Sequence, residues 1–148
     1  MKILVTGGLG FIGSRVVLQL LKRDISVIVA DLDINKNKDR LENDIKKIGK
    51  DKNLLRYEQL DITDIQNVEK IFQKYDLDSV INLAYGIGAI CEENPLLASK
   101  INIVGTTYIF EMIVKYKIRR LIFASSETVY GAKQSVFGNR AIKETDYT

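Results

Sequence analysis

The chain has 148 residues, 46% of them hydrophobic and 28% charged, with a net charge of +3. That length makes one ordinary domain with a real core, and the charge is too small and diffuse to indicate nucleic acid. There is no histidine, and Cys91 is the single cysteine, so no metal site and no intrachain disulfide are expected.

Short β-branched runs alternate with helix-spaced segments along the chain. Ile3–Thr6 reads as a strand, and the helix after its glycine turn carries Ile12, Val16 and Leu20 at i, i+4 and i+8. Val27–Ala30 is a second strand. The segment from Lys36 to Lys52 comes next, with seven basic and four acidic residues. It reads as a solvated insert with a helix around Leu41–Ile48, in preference to a ligand-binding patch. Leu54–Glu58 is a third strand. Thr63 with Gln66 reads as a capping box that opens a helix through Phe72. Val80–Leu83 is a fourth strand. Asn94-Pro95 supplies an N-cap and an N1 proline for a long helix, Pro95–Tyr116, whose stripe is Leu97, Ile101, Tyr108, Met112 and Tyr116. Leu121–Ala124 is a fifth strand, and after Tyr130 the pattern dissolves. Met1 leads straight into the first strand, which leaves no room for a signal peptide, and no apolar run approaches the ~20 residues of a bilayer span. No membrane contact and a reducing, cytoplasmic location are expected.

Strands alternating with helices imply parallel pairing through right-handed crossovers. With the glycine turn after the first strand, the expected architecture is an α/β doubly wound sheet of order 3-2-1-4-5, its ligands at the carboxyl ends. Thr6-Gly7-Gly8-Leu9-Gly10-Phe11-Ile12-Gly13 joins the first strand to the first helix. Gly7 permits the tight turn, Gly10 lets backbone approach phosphates, and Gly13 lets the helix pack close to its strand. Such a turn is a pyrophosphate cradle at a helix N-terminus. No Gly-Lys-Ser/Thr closes it, which disfavours a P-loop nucleotidase. Asp31, eighteen positions after Gly13 at the end of the second strand, suits the two ribose hydroxyls and would repel a 2′-phosphate. NAD is therefore favoured, while Lys36 and Lys38 keep NADP open and Asp33 is the fallback ligand. Asp61 either meets an adenine amino group, with Ile62 flanking the ring, or positions the Thr63 cap. Leu83, Ala84 and Tyr85 suit close passage of the cofactor, or ordinary packing at a strand end.

The glycine turn, Leu-Asp-Ile at 60–62, Asn-Leu-Ala at 82–84, Asn-Ile-Val-Gly-Thr at 102–106 and Ser-Ser-Glu-Thr-Val-Tyr-Gly at 125–131 resemble the extended short-chain dehydrogenase/reductases. These are the NAD-dependent nucleotide-sugar epimerases and dehydratases. The resemblance implies a Rossmann fold, and a nucleotide sugar oxidised and re-reduced in place. It implies that Gly7, Gly10, Phe11, Ile12 and Gly13, with Asp31, Asp61, Ile62, Leu83, Ala84 and Tyr85, hold the cofactor. Ser126 resembles the catalytic hydroxyl residue that hydrogen-bonds the substrate oxygen. Asn102 resembles a structural asparagine that bridges strands, and Tyr130 a packing tyrosine. The long helix implies a homodimer.

Two departures matter. The acid/base pair of the resemblance is Tyr-x-x-x-Lys, whose lysine helps lower a tyrosine pKa from ~10, and no Tyr-x-x-x-Lys occurs here. The chain therefore reads as an NAD(P)-binding front, residues 1–148, cut before the catalytic helix and the substrate-binding region, and inactive alone. The sugar 4,6-dehydratases read Thr-Asp-Glu where this chain has Ser126-Glu127-Thr128, which favours an epimerase or reductase. The alternative is a dinucleotide-binding module without catalysis, or a scaffold whose contact surface is the Lys36–Lys52 segment.

Overall fold

Val, Ile and Leu dominate the three central strands, Lys2–Thr6, Ser26–Asp31 and Ser79–Asn82, without the in–out alternation of a half-exposed sheet, because both faces are covered there. The computed structural model describes residues 1–126, 129, 138–143 and 145–146. Five strands, β1 (Lys2–Thr6), β2 (Ser26–Asp31), β3 (Leu55–Gln59), β4 (Ser79–Asn82) and β5 (Arg120–Phe123), form one sheet of order 3-2-1-4-5. Every pairing is parallel, as the alternation of strands and helices predicts.

Helices α1 (Phe11–Lys22) and α2 (Lys38–Lys47) belong to one face of the sheet. There Ile3, Val5, Val27 and Val29 pack with Val17, Leu21, Leu41 and Ile45. The intervening strand residues Leu4, Ile28 and Val80 point the other way. They meet α3 (Ile65–Lys74) and α6 (Thr106–Lys115) through Val68, Ile71, Phe72, Ile109 and Met112.

Three local expectations are corrected. The inward stripe of α1 is Gly13, Val17, Leu20 and Leu21, with Val16 partly buried beside it and Ile12 outside it. Gly13 seats the helix against the glycine turn, so the buried line runs onward from it, and Ile12 is 61% exposed. The α3 cap is Asp64, which accepts from the N–H groups of Gln66 and Asn67. Thr63 does not cap the helix, because its N–H and hydroxyl are held by Asp61 Oδ1 at 2.9 and 2.7 Å. The long helix is composite. After α4 (Ala89–Glu93), Asn94 caps α5 (Pro95–Ser99) as expected, and a π-turn at Lys100–Gly105 joins α5 to α6. Its span Pro95–Lys115, 21 residues, is long and apolar enough by composition to cross a bilayer, contrary to the expected absence of such a run. Ile109 and Met112 nonetheless commit one side of it to the core.

Candidate functional site

The carboxyl ends of β1 to β4 open on a cleft of about 340 Å³. Its floor is the glycine turn. Gly7 has φ +62°, and a Cβ there would lie 2.5 Å from the Leu83 carbonyl oxygen, so only glycine fits between β1 and the end of β4. The turn closes through Gly10 N–H to the Gly7 carbonyl at 3.0 Å. Gly10 is the N-cap of α1 and offers no side chain, and the first helical bond runs from Ser14 N–H to the Gly10 carbonyl. Among the described residues, the N–H groups of Phe11, Ile12 and Gly13 are thus left without a backbone acceptor, at the positive end of a 12-residue helix. An anion is the natural partner for that end.

The glycine turn is held to its neighbours from both sides. On one side, Gly8 N–H donates to the Ala30 carbonyl at 3.1 Å, and Leu9 N–H donates to Asp31 Oδ2 at 2.9 Å. Asp31 thereby fixes the turn while its carboxylate faces the cleft. On the other side, the buried Thr6 hydroxyl donates to Asn82 Oδ1 and accepts from the N–H groups of Leu83 and Ala84 at 3.2 and 3.3 Å. One hydroxyl therefore ties β1 to the end of β4.

The structure brings Gly7, Gly10, Asp31, Asp61, Ile62, Leu83, Ala84 and Tyr85 to the cleft wall. Asp61 Oδ1 holds Thr63, which is not the helix cap, so the capping alternative is not realised as expected; Asp61 lines the cleft as well. Gly13 is buried behind the wall, beneath Gly7. Phe11 and Ile12 stand exposed at the start of α1, outside the lining. Ser126 lies exposed beyond β5 and is not part of the lining. Tyr130, Glu127 and Thr128 fall outside the described residues. Asn102 does not bridge strands; its amide grips the backbone of Gly86 in the loop after β4. Ile90, Leu97 and Ile101 also line the cleft; the sequence pattern placed Leu97 and Ile101 in a buried helical stripe, and Ile101 does pack against the core as well. Among the described residues, no group of three or more His, Cys, Asp or Glu side chains is placed to hold a metal ion.

Among the described residues, a glycine floor, three N–H groups without a backbone acceptor and a flanking aspartate make a concave site suited to a dinucleotide.

A model of the NAD dependent epimerase/dehydratase family matches residues 3–148. UDP-glucose 4-epimerase 2 of Arabidopsis thaliana is 42% identical over 136 residues, 90% of this chain and 39% of that protein. The mouse UDP-glucose 4-epimerase is 33% identical over 138 residues, 90% of this chain and 40% of that protein. Among solved structures, a UDP-glucose 4-epimerase from Thermus thermophilus complexed with NAD superposes with a TM-score of 0.78 at 28% identity, over 98% of this chain and 43% of that one. One from Stenotrophomonas maltophila, with bound NAD and formylated UDP-arabinopyranose, gives 0.82 at 27% identity, over 100% and 42%. The chain spans about two fifths of the length of the curated relatives it matches.

Proposed function

The chain belongs to the NAD-dependent epimerase/dehydratase family, and on that premise we propose that residues 1–148 are the NAD-binding domain of a nucleotide-sugar 4-epimerase. The observation that carries this reading is the cradle itself: N–H groups at the start of α1 without a backbone acceptor among the described residues, beside Gly7 and Gly13, where a Cβ would collide with backbone. The relatives that are UDP-glucose 4-epimerases support an epimerase over a reductase or dehydratase. NAD supplies a hydride acceptor and donor for one sugar carbon. Gly7, Gly10 and the N–H groups at the start of α1 hold its diphosphate, Asp31 its ribose, and Asp61 with Ile62 its adenine. The charge at Asp31 selects NAD over NADP. Ser126 offers its hydroxyl to the substrate oxygen on which charge develops. No residue here supplies the Tyr-x-x-x-Lys acid/base pair, so the 148-residue chain binds NAD without turning over.

Pairing of two copies along the composite helix is supported by two exposed apolar side chains, Ile103 of the π-turn and Val114 of α6, 66% and 78% exposed. A cytoplasmic setting fits the lone thiol of Cys91, which donates to the Gly86 carbonyl at 3.2 Å. No observation favours the non-catalytic module or the scaffold. Titration calorimetry with NAD and NADP, joined to an assay for UDP-galactose formed from UDP-glucose, tests the proposal. Saturable NAD binding, weaker NADP binding and no product are expected. An NAD titration without heat overturns the cofactor reading, and product formation overturns the inactivity.

A further inference from the structure

The helix that closes over the cleft is not a plain α-helix. Between α5 and α6, Lys100–Gly105 forms a π-turn, which takes more residues per turn and rotates α6 relative to an α-helical course. Two positions within it meet two different walls of the cleft. Asn102 accepts from Gly86 N–H through Oδ1 at 2.7 Å and donates from Nδ2 to the Gly86 carbonyl at 2.9 Å. This fixes the loop after β4. Three residues on, buried Gly105 faces Ile62 of the loop after β3. A methyl group on Gly105 would stand 2.7 Å from Ile62 Cγ1, 2.8 Å from its Cδ1 and 3.1 Å from its carbonyl oxygen.

Nothing in the backbone asks for glycine at this place. Gly105 has φ −60° and ψ −41°, ordinary helical values that alanine adopts more readily. What the position requires is the absence of a side chain, and the atoms that require it belong to Ile62, a residue of the cleft wall.

We infer that Lys100–Gly105 is a strut that sets the width of the cleft, with Gly105 as the positioning residue for the Ile62 wall. The inference rests on the dinucleotide reading for its ligand, since Ile62 is where the adenine would lie. A side chain at 105 moves Ile62 and spoils the adenine seat. A glycine that served only helix packing would alter stability and leave nucleotide affinity unchanged.

The test titrates AMP and NAD into the 148-residue chain, Gly105→Ala, Ile62→Ala and the double variant. Gly105→Ala is expected to weaken AMP and NAD about tenfold, the scale of a one-methyl overpacking. In the Ile62→Ala background, where Cγ1 and Cδ1 are gone and only the carbonyl contact at 3.1 Å remains, the same substitution is expected to cost much less. Equal losses in both backgrounds, or an unchanged AMP affinity, overturn the inference. Should Gly105→Ala fail to fold, recovery of folding in the double variant supports the strut and failure of both overturns it. A second readout needs no ligand. In isoleucine methyl spectra the Ile62 Cδ1 resonance is expected to move in Gly105→Ala while those of Ile3 and Ile45 hold. A stationary Ile62 methyl overturns the strut whether or not nucleotide binds, whereas failure of the unsubstituted chain to bind either nucleotide counts against the dinucleotide reading.

Discussion

Replacing Thr6 by valine keeps the shape and β-branching of the side chain and removes only its hydroxyl. That hydroxyl is fully buried and serves three groups: Asn82 Oδ1 as donor, and the N–H groups of Leu83 and Ala84 as acceptor. Leu83 N–H keeps a second acceptor, the Thr6 carbonyl at 3.1 Å. Among the described residues, Asn82 Oδ1 and Ala84 N–H have no second partner, so two groups lose the one they had. At roughly 1–3 kcal/mol for each stranded group, with the 3.3 Å bond at the low end, the expected destabilisation is about 2–4 kcal/mol. That is a large part of the roughly 5–15 kcal/mol of a typical domain. In urea, with a slope of about 2 kcal/mol per molar, the midpoint falls by about 1–2 M. Thr6→Ser is the control. It retains all three bonds, loses one methyl, and costs about 1 kcal/mol. A valine variant within about 0.5 kcal/mol of the parent chain, or a serine variant less stable than the valine one, refutes the reasoning.

Asp31→Asn keeps an acceptor for Leu9 N–H and removes the charge facing the cleft; NAD affinity is expected to fall about tenfold and NADP to gain on it. Calorimetry reads both, and an unchanged NAD affinity contradicts the ribose role. The Tyr57 hydroxyl is buried without a hydrogen-bond partner among the described residues, and burial, helped by the charges of Glu42 and Asp39, pushes its pKa up. Tyr57→Phe should be neutral or stabilising by up to about 1 kcal/mol, and a clear loss in urea unfolding counts against this. Burial raises the Glu58 pKa, but hydrogen bonds from Lys74 and Tyr75 outweigh it and hold the carboxyl below 4.5. A depressed folded pKa gives stability that is present above the unfolded value and lost as pH falls through the folded one. Glu58→Gln should therefore flatten the fall in urea midpoint below about pH 4.5, and parallel curves from pH 7 to pH 3 would show that the pair contributes nothing.

The sheet order and the cradle were legible in the sequence because each has a local cause. Continuous apolar runs such as Ile3–Val5 mark strands covered on both faces, and Gly7 and Gly13 mark a turn that side chains would block. Other features depend on contacts far apart in the chain. Thr63 and Asp64 are both good caps, and which one serves is decided by Asp61 occupying Thr63. The stripe of Pro95–Tyr116 was read at 3.6 residues per turn, and a π-turn breaks that period without a residue that announces it. Leu97 and Ile101 thereby face the cleft, while Ile109 joins Met112 in the core. Ile62 and Gly105 meet across 43 positions of chain, and neither residue alone reveals the other.

Because β1 lies between β2 and β4, the glycine turn has one neighbour close by in sequence and another 76 residues downstream. Closing the chain over that separation costs more entropy than the local pairing with β2. Gly7 is enclosed only where Leu83 is in place. A nucleotide that binds the closed sheet and not the unfolded chain therefore stabilises the folded form by mass action.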